Sequence, residues 1–235
     1  MRGGLTWLAT TRNARHATPA VEPIWFEWLA LTGMFVFAAW LLGLQGVWAL
    51  LFTSDPTGIT LVIIVVFVVA TLWSGARSRE LARQRAALDS ASAGGRSGLS
   101  PSDSWAEAYW SALRSAPLDA DAPLDILLER THGPHTTAWW VNAIQLKLGL
   151  LGKVIGFSIL ALHIGQMQGF DAAQSQDLLK SLTSGLGVAL LTTMVGLIGN
   201  ILLGLQLTRL DRYADEFVTQ AQRHGLSVSS AGQRG

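Results

Sequence analysis

The chain has 235 residues, of which 50% are hydrophobic and only 14% charged. Soluble domains carry roughly a quarter charged residues, so this balance, with a mean hydropathy of +0.35, excludes an ordinary soluble protein, and disorder as well. Sixteen acids against 17 bases leave a net charge of +1 and no basic field for nucleic acid, while the absence of cysteine removes disulfides, thiolate nucleophiles and cysteine metal sites.

Residues 1–24 lack the apolar core of a signal peptide and read as a cytoplasmic segment. A membrane span needs about 20 mostly apolar residues. The first such run is Trp28 to Phe52, with Thr32 and Gln45 as its clearly polar members. The second, Gly58 to Ala76, contains the β-branched stretch Leu61 to Val69. In water that stretch would suit a buried strand; in lipid an isolated strand leaves its backbone unpaired, so a helix is forced. Thr53-Ser54-Asp55-Pro56-Thr57 turns one span into the other, making 25–76 a peripheral hairpin. Trp25, Trp28, Trp48 and Trp73 fall near the span ends, as an aromatic belt would.

Residues 77–138 read as a cytoplasmic helical segment. Arg77 to Leu88 continues the second helix, with Leu81 and Leu88 seven apart, until the Gly/Ser stretch Ser90 to Gly98. Ser104 with Glu107 three residues on is a capping box, opening a helix with Trp105, Tyr109, Trp110 and Leu113. Pro123 to about Arg130 predicts another short helix, ended by His132-Gly133-Pro134.

The third span, Trp139 to Gln168, differs in kind: it holds Lys147, Lys153, His163 and many glycines. The fourth, Gly185 to Leu207, is uncharged but carries Thr192, Thr193 and Asn200. Beyond it the helix is expected to run on to Gly225, with Leu207, Leu210, Ala214, Phe217 and Ala221 as an apolar stripe opposite Arg212, Asp215 and Glu216. Ser181 to His224 would make a rod about 66 Å long. The expected fold is therefore an all-α membrane protein with four transmembrane helices and cytoplasmic helical extensions. Arginines gather before the first span, between the second and third, and after the fourth, whereas the two short outer loops offer Lys180. Positive residues mark the cytoplasmic side, so both termini and the middle segment are expected there.

At 100° per residue, Asn142, Gly149, Lys153, Gly156 and Leu160 share one face of the third span, and Ala189, Thr193, Gly196, Asn200 and Gly204 share one face of the fourth. Such stripes suit close helix packing with hydrogen bonds between helices. Two of them in adjacent spans, one bearing a lysine, also suit a polar pathway or a partner-facing surface. Lys153 either snorkels to the interface or wants a carboxylate, which neither of these spans supplies. Lys147 suits snorkelling, and His163 an interfacial position. Gly152-Lys153 lacks the glycine and hydroxyl of a phosphate loop, His132 and His135 have no further metal ligands nearby in sequence, and no nucleophile-base-acid set exists. The chain is not expected to be an enzyme or to carry a cofactor.

Leu148-Gly149-Leu150-Leu151-Gly152-Lys153-Val154-Ile155-Gly156 resembles the penultimate span of the MotA/TolQ/ExbB family, whose pattern is close to LGLLGTVIG. Gly187 to Leu197 is similar to the A-L-L-x-T-x-x-G-L segment of that family's final span. The likeness covers about 70 residues, Gln145 to Arg212, and the count of four spans is that of the flagellar-stator branch. The resemblance implies a bacterial inner-membrane homopentamer around a dimer of MotB/TolR/ExbD-like single-span chains. Each partner chain would bring an ion-carrying aspartate, with H⁺, or alternatively Na⁺, as the transported ion. Thr193 matches the family's pathway threonine in the last span; Lys153 stands where the preceding span has its threonine. Thr192, Asn200, Gly149, Gly156 and Gly196 complete the expected pathway or partner-facing set. An ammonium cannot coordinate a cation. Lys153 therefore pairs with the partner's acid, moves protons itself, or marks a complex that does not conduct. A non-conducting pentameric scaffold is the alternative to a motor; a solute transporter, with its broken helices, fits less well.

Overall fold

The computed structural model describes residues 24–55, 57–94, 98–100, 102–115, 121–165 and 172–232. Arg2, Arg12, Arg15, Arg96 and Asp171 lie outside the described residues, as does the stretch Gln166 to Gln168 expected in the third span. The elements are α1 (Ile24–Leu44), α2 (Val47–Ser54), α3 (Ile59–Ser92), α4 (Trp105–Ser115), α5 (Asp121–Gly165) and α6 (Ala172–Gly232), with no strand among the described residues. Four helical stretches are long and apolar enough to cross a membrane: Ile24–Leu44, Ile59–Ser92, Asp121–Gly165 and Gly185–Ser227. The chain is an all-α, multi-pass membrane protein.

The first span is shorter than the expected Trp28 to Phe52. It ends at Leu44, Gly46 takes φ +74°, and α2 folds back so that the Trp48 indole donates to the Ala39 carbonyl at 2.9 Å. Twenty-one residues already reach about 31 Å, the thickness of the hydrocarbon core, so nothing forces the apolar run beyond Leu44 into the same helix. Asp55 then caps α3, accepting from the amides of Thr60 at 2.7 Å and Thr57 at 3.0 Å and from the Thr57 hydroxyl. Burial alone would raise the Asp55 carboxyl; the hydrogen bonds from Thr57 and Thr60 outweigh it and hold the group below its ordinary range.

α1 packs along α3, with α2 between them in the chain. Trp28 donates to the Thr71 carbonyl at 3.2 Å, and Gly75 has no side chain because the Trp28 ring occupies that space, 2.4 Å from where a Cβ would lie. Trp25 stacks on Trp28, and the Arg79 guanidinium covers Trp25 at 3.8 Å. Further along α3, Leu81 and Leu88 are both buried.

Two expected stop signals do not end a helix, and α6 begins at Ala172, ahead of the expected Ser181. Gly133-Pro134 does not stop a helix: α5 runs unbroken from Asp121 to Gly165. Proline removes the amide that would bond the carbonyl four residues back, which is that of Arg130. Arg77 of α3 takes over, donating to the Arg130 carbonyl and, at 3.0 Å, to that of Thr131. Gly225 likewise does not end the last helix, which continues to Gly232. Its bare backbone instead admits Trp110 and Leu113, each with an atom 3.1 Å from the missing Cβ position.

Packing follows the expected α6 stripe. Leu207, Leu210 and Ala214 join Ile24, Ala70, Leu81 and Ala138 in one core, and Phe217 and Ala221 join Leu88, Ala106, Tyr109 and Leu127 in a second. Ser104 caps α4, accepting from the Glu107 amide at 3.4 Å, and Trp110 donates to the Ala221 carbonyl at 2.8 Å. The first core ties the hairpin to α5 and α6; the second lies beyond it along α3, α5 and α6, where α4 closes it. By contrast Phe37, Val69, Leu162 and Ile201 are exposed. Apolar surface on this scale belongs against lipid or other chains.

Candidate ion pathway along α5 and α6

α5 and α6 cross closely because small residues meet at the seam. A Cβ on Gly156 would lie 2.8 Å from the Ala189 nitrogen and the Gly185 oxygen; one on Gly196 would lie 2.8 Å from the Gln145 carbonyl; one on Gly149 would lie 3.1 Å from the Thr192 carbonyl. These contacts are with backbone, so no rotamer change relieves them. Gly156–Ala189, Gly152–Thr192, Gly149–Gly196 and Asn142–Asn200 trace one antiparallel register along the two helices.

The expected site residues divide between the inside of this seam and its rim. Thr192 is fully buried over Gly152, and its hydroxyl donates along its own helix to Val188 at 2.8 Å. Thr193 is half-buried; its hydroxyl is shared between the carbonyls of Ala189, at 2.8 Å, and Gly149 across the seam, at 3.2 Å. The Asn200 amide donates to the Asn142 carbonyl at 2.9 Å, again across the seam. Gly149, Gly156 and Gly196 are all buried here.

Lys153 is not on the seam. The stripe that packs is Gln145, Gly149, Gly152 and Gly156, and Lys153, about 100° further round from Gly152, is exposed. It lines an open groove of about 370 Å³ with Thr193 and the apolar side chains Leu190, Met194, Leu197, Ile198 and Ile201. A groove of this make-up suits an apolar helix carrying one negative group. Glu27 does not serve Lys153: it pairs with Arg209 at 3.5 Å. Exposed His163 turns its Nδ1 to the Ile159 carbonyl of its own helix at 2.8 Å.

Two features escape a reading of the sequence. Gln145 has 0% exposure, and neither its Oε1 nor its Nε2 has a partner; the Asn142 Oδ1 beside it is unpartnered too. A four-residue offset from Gly149 was the available signal. Second, His132 and His135, without neighbours in sequence, meet Asp215 and Asp211 of α6 at 2.9 and 2.7 Å. Extending the seam's register down α6 would have paired them. Among the described residues no group of three or more such side chains converges to hold a metal ion. No family model, curated protein or solved structure matches the chain.

Proposed function

We propose that the chain is the ion-conducting subunit of a rotary membrane motor. Five copies surround a dimer of single-span, MotB/TolR/ExbD-like partner chains in a bacterial inner membrane, with both termini cytoplasmic. The proton motive force drives ions through the ring and turns it about the dimer. The observation that carries this reading is the groove on α5 and α6. Lys153 and Thr193 are polar points on an otherwise apolar, membrane-level surface, which fits a partner helix bearing one carboxylate. The glycine seam holds the two helices in fixed relation, so five copies would repeat the groove around one axis.

Lys153 sets the terms of conduction. A unit positive charge 4 Å from a passing cation costs about 4 kcal/mol at an effective dielectric near 20. Passage therefore requires that the ammonium be neutralised by the partner's carboxylate. A carboxylate–ammonium pair exchanges protons and offers no coordination shell to Na⁺, so the proton is the favoured ion. The same charge favours one second reading, a non-conducting pentameric scaffold that grips its partner through an ion pair. Reconstitution of the complex with its partner in proteoliposomes tests both. The motor gives voltage-driven proton uptake that Lys153→Thr alters at least severalfold. Absence of uptake in the wild type selects the scaffold, and uptake indifferent to Lys153→Thr reduces the residue to a snorkelling side chain.

A further inference from the structure

At the foot of the last two spans, three helices converge on Pro134. The proline removes one backbone hydrogen bond from α5, and Arg77 of α3 replaces it at the Arg130 carbonyl. The next residue, His135, is 2% exposed. Its Nδ1 lies 2.7 Å from one oxygen of Asp211 on α6, while the other oxygen accepts from the Trp139 indole at 2.7 Å. The edge of Trp73 closes the pocket at 6.4 Å, and the buried Nε2 has no hydrogen-bond partner.

A carboxylate only accepts, so the proton between His135 and Asp211 sits on Nδ1 and the free lone pair on Nε2. A second proton has to enter at Nε2, where no acceptor waits. The charged and titratable groups facing the ring are Asp211 from α6, Arg77 from α3 and His132 from α5. Burial pushes the imidazole below its ordinary pKa; Asp211 opposes the shift, and Arg77 and His132 add to it.

We propose that His135 is the proton sensor of an acid-opened joint at Pro134: the neutral ring holds α5 against α3 and α6, and a proton on Nε2 releases it. Protonation acts in two ways. It leaves a buried, charged N–H without an acceptor, and it sets a positive charge beside Arg77, the group that compensates for the proline. Both are relieved when α5 swings away, Nε2 meets water and Trp139 leaves Asp211. The helix already lacks one bond at this point, so bending there costs least. His132 is placed differently: its Nε2 faces Asp215 at 2.9 Å and its Nδ1 faces the Thr131 hydroxyl at 2.9 Å, so it has an oxygen at each nitrogen.

The sign follows from the depressed pKa of the closed state. Closure is fully supported above the ordinary imidazole value of about 6.5 and weakens as the pH falls below it. A ring that titrates only when the joint is open raises opening about tenfold between about pH 7.5 and about pH 5.5. Amide hydrogen exchange of the full chain in lipid nanodiscs, corrected for the intrinsic effect of pH, reads local opening directly. In the wild type, exchange over residues 131–139 and 207–215 should accelerate on acidification, up to the limit of about tenfold reached when the closed ring does not titrate. His135→Gln, which still donates to Asp211 but does not titrate, should exchange equally at both pH values, whereas His132→Gln should keep the acceleration. Should His135→Gln fail to fold, His135→Asn decides, since it too lacks a titrating ring and must lose the acceleration. A pH-indifferent wild type, acceleration that survives in His135→Gln or His135→Asn, or its loss in His132→Gln overturns the proposal.

Discussion

Glycines within one helix carry opposite meanings in this protein. Gly196 and Gly187 both belong to α6, yet a Cβ at Gly196 would press on the Gln145 carbonyl at 2.8 Å, while one at Gly187 meets nothing within 4 Å. Gly196→Ala should therefore force the two backbones apart and cost about 1–3 kcal/mol, seen as a lower melting temperature in detergent. Gly187→Ala should leave that temperature unchanged or raise it, because alanine is the better helix former by up to about 1 kcal/mol. Equal effects at the two positions would mean that the seam is not as tight as described. At this scale much was legible in the residues themselves. Small and hydroxyl side chains at helical spacing pointed to a close crossing, and Thr192, Thr193, Asn200 and the glycines are all found there. Helical spacing also groups Lys153 with them, yet it lies outside the crossing, exposed in the groove. A stripe about 100° wide leaves open which flank of the glycines touches the neighbour, and the contact fell on the side of Gly152.

Helix ends in α5 and α6 are decided by residues far away in the chain. Gly133-Pro134 and Gly225 are local stop signals, and each is overridden by a tertiary contact: Arg77 beneath Pro134, Trp110 and Leu113 over Gly225. No inspection of the sequence around Pro134 reveals a guanidinium supplied from 53 positions before Arg130. The compensation is testable by a double-mutant cycle. Arg77→Met takes the donor from the exposed Arg130 carbonyl and should cost about 0.5–1.5 kcal/mol. Pro134→Ala restores the missing amide, so in its presence Arg77→Met should cost measurably less, with a coupling of at least about 0.5 kcal/mol. Strictly additive effects on the melting temperature would separate Arg77 from the proline. Where the apolar period was strong, local reading was enough: Leu207, Leu210, Ala214, Phe217 and Ala221 are all buried. Phe217, with 1% exposure, should lose about 3–5 kcal/mol on truncation to alanine, and little change would contradict its place at the centre of the second core.

Over the whole molecule, composition dictated the class and the span count, because about 20 apolar residues in lipid have little choice but a helix. What one chain leaves unexplained is its outer surface. Val154, Leu190, Ile198 and Ile201 are as exposed on the α5–α6 face as Phe37 and Trp40 are on α1, and hydropathy cannot tell a side that meets lipid from one that meets a neighbouring subunit. The separating feature is the charge at Lys153 beside Thr193, which is costly against lipid tails and useful against an acid. The central claim is thus geometric, and particle imaging of the complex purified with its native membrane partner tests it most directly. The account predicts five copies around two partner helices, with Lys153 and Thr193 turned inward and a carboxylate within reach of the ammonium; a solitary protomer, or a ring whose lysines face the bilayer, would contradict it.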